Sequence, residues 1–343
     1  MRVALIAPPW IPVPPPAYGG TEEMIDSLAR GLAAAGHHVI LATTGDSTCP
    51  VKRTWVHDHA RTAEMGDTVI ELAHALHAYE AVGGVDIVHD HTQAGPVIGA
   101  LRAGSPVVTT NHGPFTADVR ALYRALGGRV QIVAISHHHA ATAHDVHIAR
   151  VIHHGIDVDR FPLGPGGDHL VFLGRMSPDK GVHQAIEIAR HAGVPLVIAA
   201  KMHSSEEHAY YRAEVELLLG EDIRYVGEVE TAGKLELLGT ARALLNPIRW
   251  DEPFGLNMVE ALACGTPVIA TPRGAAPEIV DHGTTGFLAS GTDDAVAAVA
   301  WAAGLDRRAC RAAVEDRFSE GRMVADHLTF YRDVLAGRIR DAA

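Results

Sequence analysis

Short runs rich in Val, Ile and Leu recur along this chain, with helical patterns between them. "RVALIAP" (2–8), "HVILATT" (38–44), "VDIVHDH" (85–91), "PVVTTNH" (106–112), "QIVAIS" (131–136) and "RVIHHGI" (150–156) form one series. "HLVFLGRM" (169–176), "PLVIAAK" (195–201), "IRYVGEV" (223–229), "ALLNPI" (243–248), "PVIATP" (267–272) and "TGFLAS" (285–290) form a second. The runs are continuous rather than alternating, which is how strands covered on both faces read. Strands alternating with helices predict parallel sheets with helices on both sides. At 343 residues the chain is long enough for two cores, since single cores stop growing near ~250–300 residues. The expected fold is therefore α/β, two doubly wound domains at 1–160 and 161–319. The Pro- and Gly-rich "DVDRFPLGPGGDHL" (157–170) reads as the linker. Residues 320–343 follow the last strand, with Met323, Val324, Leu328, Tyr331 and Leu335 at helical spacing. That helix needs a partner surface, and the first domain is the expected one. Ligands in such sheets bind at the carboxyl ends of the strands, so two facing sheets would share a cleft there.

Charge and cysteine content narrow the function classes. A net charge of −12 without any basic stripe excludes general nucleic-acid binding. An anionic ligand must be held by a local device, such as a helix N-terminus or a few chosen cations. Three cysteines (Cys49, Cys264, Cys310) without paired spacing argue against a disulfide framework and for a reducing compartment. The opening "MRVALIAPPW" is broken by Pro8 and Pro9 and reads as a first strand rather than a secretory signal. No apolar stretch reaches the ~18 residues of a membrane span, so no membrane insertion and a cytoplasmic location are expected.

The chemistry concentrates in a few segments. Residues 21–35 read as a helix with Thr21 as N-cap and Gly36 as stop, preceded by the glycine pair Gly19–Gly20. "DEPFGLNMVEALACG" (251–265) follows a strand and opens a helix near Phe254–Gly255, with Gly265 closing it. The first N–H groups, from Gly255, Leu256 and Asn257, lack helical partners and suit a diphosphate. Gly255 lets the backbone approach a phosphate closely. Glu260 lies about 7.5 Å further along the axis, within reach of ribose hydroxyls, while Glu252 sits before the helix, where a sugar would lie. "GRMSPDKG" (174–181) follows the first strand of the second series. Gly174 permits a tight turn, and Arg175 and Lys180 bracket a helix start capped by Ser177 or Asp179. A guanidinium and an ammonium there would neutralise a diphosphate and stabilise it as a leaving group.

"GRMSPDKG" together with "EPFGLNMVEALACGTPV" resembles the retaining GT-B glycosyltransferases of family 4 (glycosyltransferase group 1), whose signature is the E-x7-E pair formed here by Glu252 and Glu260. "APPWIPVPPPAYGGTEEMIDSLARGL", "DIVHDHT", "TTNHGP", "HHGIDVDRF" and "RGAAPEIV" match in order, so the likeness runs over most of the chain. It implies two Rossmann-like domains and a nucleotide diphosphate sugar as donor, UDP-linked first, with UDP or GDP as product. It implies no metal and no other cofactor. Catalytic roles would fall to Glu252, His112, Arg175 and Lys180. Gly19 and Gly20 would lie beside the diphosphate, His112 would contact the donor sugar, and Arg175 and Lys180 would hold the diphosphate. Glu252 would touch sugar hydroxyls, Phe254, Gly255 and Leu256 would offer backbone, and Glu260 would hold the ribose. Gly174 would shape the loop, and Val226 and Gly227 would meet the base. Two positions depart from the pattern: His154 replaces the usual Asn before a glycine, and "AAKMHSS" (199–205) replaces a glycine-rich loop.

Blander readings remain beside these. His89 and His91 have metal-like spacing but no third ligand in sequence, and His137–His139 open a helix as surface or cleft residues. Ser136 reads as an N-cap. A nicotinamide dehydrogenase is disfavoured, since no G-x-G-x-x-G follows the first strand. A nucleotide-sugar epimerase and a non-enzymatic nucleotide-sugar binder stay open. The acceptor is expected to be chosen by loops 46–66 and 112–128. The modest Arg120, Arg124 and Arg129 there favour a soluble small molecule or oligosaccharide, such as an antibiotic, over a membrane lipid.

Overall fold

A computed structural model describes every residue except Tyr18, Ala103 and 340–343. The chain divides into two compact units, Met1–Gly155 with Glu320–Ala343, and Ile156–Ser319. Unit 1 runs β1 (Arg2–Ile6), α1 (Gly20–Ala34), β2 (His38–Ala42), β3 (Lys52–Thr54), α2 (Thr68–Ala81), β4 (Ile87–Asp90), α3 (Gly95–Leu101), β5 (Val107–Thr110), α4 (Ala117–Leu126), β6 (Gln131–Ala134), α5 (His137–Thr142) and β7 (Arg150–Val151). Unit 2 runs β8 (His169–Arg175), α6 (Val182–Ala192), β9 (Leu196–Lys201), α7 (Ser205–Tyr210), β10 (Ile223–Gly227), α8 (Thr231–Thr240), β11 (Ala241–Asn246), α9 (Leu256–Ala263), β12 (Val268–Ala270), α10 (Ala276–Ile279), β13 (Gly286–Leu288), α11 (Thr292–Ala302) and α12 (Arg307–Arg317). The chain then returns to unit 1 as α13 (Glu320–Leu335).

Both sheets are wholly parallel, in the orders β3-β2-β1-β4-β5-β6-β7 and β10-β9-β8-β11-β12-β13. In each, the first strand lies inside the sheet and the chain winds outward to one side before returning to the other. That creates a switch point between β1 and β4 and another between β8 and β11, the places where doubly wound sheets bind ligands. Their central strands are buried almost throughout, as continuous apolar runs require.

Several expectations change. The 157–170 stretch is no loose linker but a strap packed on unit 2. Gly164 N–H donates to Cys264 O (3.0 Å) and Gly166 N–H to Gly239 O (3.0 Å). A Cβ on Gly164 would sit 2.1 Å from Gly239 O, which excludes any other residue. The unit boundary falls at Gly155–Ile156, ahead of 160, because Ile156 N–H already bonds Phe318 O (2.9 Å) within unit 2. The final helix packs on α1, where Val324 fills the space over Gly31. Helix α1 begins at Gly20, with Gly19 at the cap position and no side-chain cap, so Thr21 lies inside it. After β9 the chain keeps α geometry only over α7 and then loosens into a π turn and a 3-10 turn. β3 was not anticipated: "KRT" is short, polar and at the sheet edge.

Candidate active site

The loops at the β8/β11 switch point of unit 2 are locked to one another. After β8, a 3-10 turn at Pro178–Lys180 ends on Gly181 in the left-handed region (φ 76°), and α6 starts only then. Lys180 therefore sits in the turn before the helix, so the helix start lies beyond it rather than at a Ser177 or Asp179 cap. A Cβ on Gly181 would sit 2.0 Å from Pro247 O, so only glycine lets the loops after β8 and β11 close together. Arg249 N–H donates to Asp179 O (2.8 Å) and ties them again. Ser177 fills the cap position, but its hydroxyl makes no cap bond and is buried without a partner.

This frame holds Lys180 Nζ 2.5 Å from Glu252 Oε1 and 5.4 Å from the Trp250 ring centre. Both side chains of the ion pair are nearly buried, at 8% and 14% exposure. Glu252 is also fixed through its backbone, whose carbonyl accepts from Ala275 N–H (3.0 Å) while Gly274 crowds it (φ 57°; a Cβ would lie 2.3 Å from Glu252 O). Its second carboxylate oxygen, Oε2, is buried without a hydrogen-bond partner, and so is Trp250 Nε1. A buried carboxylate oxygen left open on a rigid frame is an acceptor prepared for a ligand donor.

Helix α9 starts beside this pair. Gly255 caps it at φ 108°, a conformation that suits glycine, and the N–H groups of Leu256 and Asn257 lack intrahelical partners. Asn257 Nδ2 donates to Leu173 O (3.1 Å) and Asn246 Oδ1 (3.3 Å), which seats the helix start against the ends of β8 and β11. Phe254 is buried, with its ring 5.9 Å from Phe318, so it anchors the turn. Glu260, a turn and more into the helix, is largely buried and holds Lys234 of α8, with Oε1 2.6 Å from Nζ. Lys234 was missed in the sequence because it lies 26 residues away from Glu260.

Arg175 ends β8 beside Lys201 of β9. Its guanidinium bonds Asp179 (2.9 Å) and lies 3.9 Å from Glu207, so it is braced by carboxylates rather than standing as a lone cation. Gly174 forms no tight turn: it lies buried inside β8, and a Cβ there would meet the Phe172 ring at 3.6 Å. At the far end of β10 the pairing with β9 slips between Tyr225 and Gly227. Gly227 takes φ 81° and Val226 turns outward, 44% exposed. Tyr225 OH donates to Ala200 O (2.8 Å) and holds the slip in place. In the departing 199–205 segment, Ser204 and Glu207 form a capping box on α7, and His203 pairs with Glu228 at 3.1 Å.

The corresponding edge of unit 1 carries Gly19, Gly20 and His112. A Cβ on Gly19 would clash with Pro15 at 2.7 Å, so the proline segment presses on this turn. His112 follows β5, and its Nε2 lies 3.0 Å from His91 Nδ1. Its Nδ1 is enclosed without a partner, and its ring stacks on His154 at 5.3 Å. His91 packs 4.1 Å from His89, which is tied at both nitrogens, to Tyr331 OH (2.6 Å) and Thr110 Oγ1 (2.7 Å). His327 of α13 lies with its ring tilted against His89, 5.3 Å away. Burial pushes His112 down to about 3 and His327 to about 4, and holds His89, His91 and His154 well below the usual histidine range. The histidine at 154 thus belongs to a buried imidazole cluster that sequence spacing did not reveal. His139 departs from its expected surface or cleft place: it is buried, donates from Nε2 to Gly113 O (2.9 Å) and accepts Ile135 N–H at Nδ1 (3.3 Å). Ser136 caps α5 through His139 N–H (2.9 Å). No helix among the described residues is long and apolar enough to cross a membrane.

Residues 158–312 match the family described as "Glycosyl transferases group 1", and residues 18–160 match "Glycosyltransferase Family 4". A glycogen synthase of Mycobacterium tuberculosis is 27% identical, over 89% of this chain and 86% of its own length. A phosphatidyl-myo-inositol mannosyltransferase of Mycobacterium leprae is 26% identical, over 87% of this chain and 86% of its own. Among solved structures, AviGT4, a glycosyltransferase involved in avilamycin A biosynthesis, superposes with a TM-score of 0.73 at 26% identity, over 98% of both chains. Two adjoining matches, two wholly parallel sheets and a glutamate at each end of the α9 turn agree: the chain belongs to the group 1 (family 4) glycosyltransferases of GT-B fold.

Proposed function

We propose that this glycosyltransferase moves a sugar from a nucleoside diphosphate sugar, UDP-linked first, to a hydroxyl of a small-molecule or oligosaccharide acceptor, with retention at the anomeric carbon. The observation that carries the reading is the Lys180–Glu252 pair, held rigidly beside the start of α9, with Glu252 Oε2 buried and unpartnered. The diphosphate lies at the N–H groups of Leu256 and Asn257, where the helix dipole favours negative charge. Glu260 takes the ribose hydroxyls and Val226–Gly227 the base. Glu252 Oε2 accepts a sugar hydroxyl and so orients the donor; Lys180 already occupies its other oxygen. As the anomeric C–O bond to the diphosphate breaks, charge grows on the leaving oxygen, and Lys180 and Arg175 stabilise it without a metal ion. The acceptor oxygen bonds the anomeric carbon from the face the diphosphate leaves, and its proton passes to a diphosphate oxygen. A secondary-metabolite acceptor is supported by the likeness to AviGT4 along nearly the whole chain.

Thermal-shift screening with UDP, GDP, UDP-glucose and GDP-mannose tests the donor. Incubation of the best labelled donor with candidate acceptors follows, with NMR of the product's anomeric centre. A new glycoside with the donor's configuration is the expected outcome. Conversion of donor alone to an epimer, or tight binding without turnover, replaces the reading.

A further inference from the structure

The carboxyl edge of unit 1 holds an exposed tryptophan in a fixed place. Trp55 follows directly on β3, the outer strand of its sheet. Large aromatic side chains gain most by burial, yet Trp55 stays 42% exposed. Its Nε1–H donates to Asp58 Oδ1 (3.3 Å), and the Arg53 guanidinium lies 6.0 Å from the ring centre. Gly45, in the loop after β2, closes on the same turn, where its N–H donates to His57 O (2.9 Å). A Cβ on Gly45 would sit 2.9 Å from Trp55 Nε1 and 2.8 Å from Asp58 O, so only glycine lets that loop reach the indole. Asp46 of the same loop accepts the Thr44 hydroxyl (2.6 Å) and Ala60 N–H (3.0 Å). Arg61 N–H and the Thr62 hydroxyl donate to Pro9 O (2.8 Å) and Trp10 O (2.6 Å) in the segment after β1. The loops after β1, β2 and β3 therefore form one rim, built wholly from unit 1.

An exposed indole on a fixed rim, with an exposed carboxylate beside it, suits one ligand chemistry. The negative face of the ring attracts the weakly positive C–H groups on the flat side of a pyranose. The hydroxyls at the edge of that sugar point sideways, toward Asp58. A carboxylate has about four acceptor positions, and the indole takes one of them. A wholly apolar ligand would strip water from that carboxylate and replace it with nothing. We propose that Trp55 and Asp58 form a saccharide-stacking subsite, and that the acceptor is an oligosaccharide or glycoside long enough to reach it. β3 lies two strands from β1, about 10 Å away at the usual strand spacing. The ring on Trp55 is therefore not the one that receives the new bond near the β1/β4 switch point, but a neighbour further along the acceptor. That the saccharide is the acceptor rests on the glycosyl-transfer reading above; the stacking itself does not.

Two measurements separate these. The chain has four tryptophans, so 1H–15N spectra of the tryptophan-labelled full chain carry four indole signals, and Trp55→Phe assigns one of them. Maltotriose, cellotriose and mannotriose are titrated without any nucleotide sugar, with phenol as the aromatic control. At least one trisaccharide is expected to shift the Trp55 signal saturably. Calorimetry should then show binding weakened about tenfold in Trp55→Ala, largely kept in Trp55→Tyr, and weakened severalfold in Asp58→Asn. A Trp55 signal unmoved by all three trisaccharides, or moved by phenol alone, overturns the proposal. So does equal affinity in Trp55→Ala with thermal melts matched. The trisaccharide that moves the signal is then offered as acceptor with UDP-glucose, or with GDP-mannose if that is the donor found. Transfer is expected, with acceptor KM about tenfold higher in Trp55→Ala and donor KM little changed. No transfer to it, or an equal acceptor KM, overturns the assignment to the acceptor. A wild type that turns over no nucleotide sugar refutes the glycosyl-transfer reading, and the titration still decides whether the subsite exists.

Discussion

The two units share a winding scheme and differ in how they treat the polar ends of their strands. Unit 1 lines its edge with imidazoles that are buried, neutral and bonded to one another, to Tyr331 and to Thr110. Unit 2 lines its edge with ion pairs: Lys180 with Glu252, Lys234 with Glu260, Arg175 with Asp179. The difference teaches that one sheet topology can host two electrostatic designs. Neutral rings cost little to bury once their nitrogens are bonded, and they fix direction through tautomers. Paired charges cost more to desolvate, but they can re-partner when an anion arrives. The proposed function, in which a diphosphate leaves, calls for the second design, and that is the design of unit 2.

Acid should break this comparison most visibly. His74, His139 and His327 are pushed down to about 4 and His112 to about 3, all by burial, and all lie in unit 1. For a histidine whose folded pKa lies below its unfolded value near 6.5, the unfolded chain takes up the proton first. Its contribution is therefore fully present above pH 6.5 and is lost as pH falls toward 4. Each such shift is worth roughly 3 kcal/mol, so the set together rivals a domain's whole stability of ~5–15 kcal/mol. Asp90 works the other way. Burial pushes its carboxyl up to about 7, so it favours the folded state below that pH, and burial raises Glu71 too, but they are two groups against several. Unit 1 is expected to open between pH 6 and 4 while unit 2 stays protected. Hydrogen exchange resolved by segment checks this, and equal loss of protection in both units would refute it.

Arg307 sharpens the comparison from the other side. Its guanidinium donates to the carbonyls of Gly164 (3.0 Å), Ala241 (3.1 Å), Gly239 (3.0 Å) and Cys264 (3.2 Å) and to Thr266 Oγ1 (2.7 Å). Arg307 clamps the strap at Gly164 onto the rest of unit 2, and Arg311 holds it again at Val158 and Phe161. Arg307→Ala should cost about 3–5 kcal/mol, because several carbonyls lose a charged donor at once. The loss should appear in unit 2 alone, as a separate earlier step in a urea titration followed by exchange. For Lys180→Ala, turnover should fall by about 10²-fold or more, since a cation near the leaving oxygen is removed and Glu252 is left unpaired. Steady-state kinetics at saturating donor measure it, and unchanged kcat would remove Lys180 from the reaction.

The layout of both sheets was legible because buried parallel strands announce themselves as apolar runs; the polar "KRT" of β3 carries no such signal. The strap at 157–170 misled because proline and glycine mark both linkers and tight packing, and only the placement of Gly239 and Arg307 distinguishes the two. At the site, local motifs were legible: Gly255, Glu252 and Glu260 fall on one turn and one helix. Partners distant in sequence were not. His89 and Tyr331 are 242 positions apart, and Lys180 and Glu252 are 72 apart. No periodicity connects such residues; the winding of the sheet and the returning α13 do.

The smallest expected effect tests whether unit 2's pairs re-partner as argued. Glu260 has Oε1 committed to Lys234 at 2.6 Å, and in the proposed function its carboxylate takes the ribose hydroxyls. Glu260→Gln keeps the shape, removes the charge, and turns one acceptor atom into a donor that faces the Lys234 ammonium. Nucleotide affinity should fall about tenfold, the worth of roughly one hydrogen bond to a charged acceptor, with kcat nearly unchanged because the ribose is remote from the bond that breaks. Lys234→Met removes the partner instead. If the pair merely holds Glu260 in place, both variants weaken UDP binding alike. If Lys234 must release the carboxylate when the ribose arrives, Lys234→Met binds UDP as well as or better than the wild type. Calorimetry with UDP and GDP on the two variants separates these outcomes, and wild-type affinity in Glu260→Gln would place the ribose elsewhere.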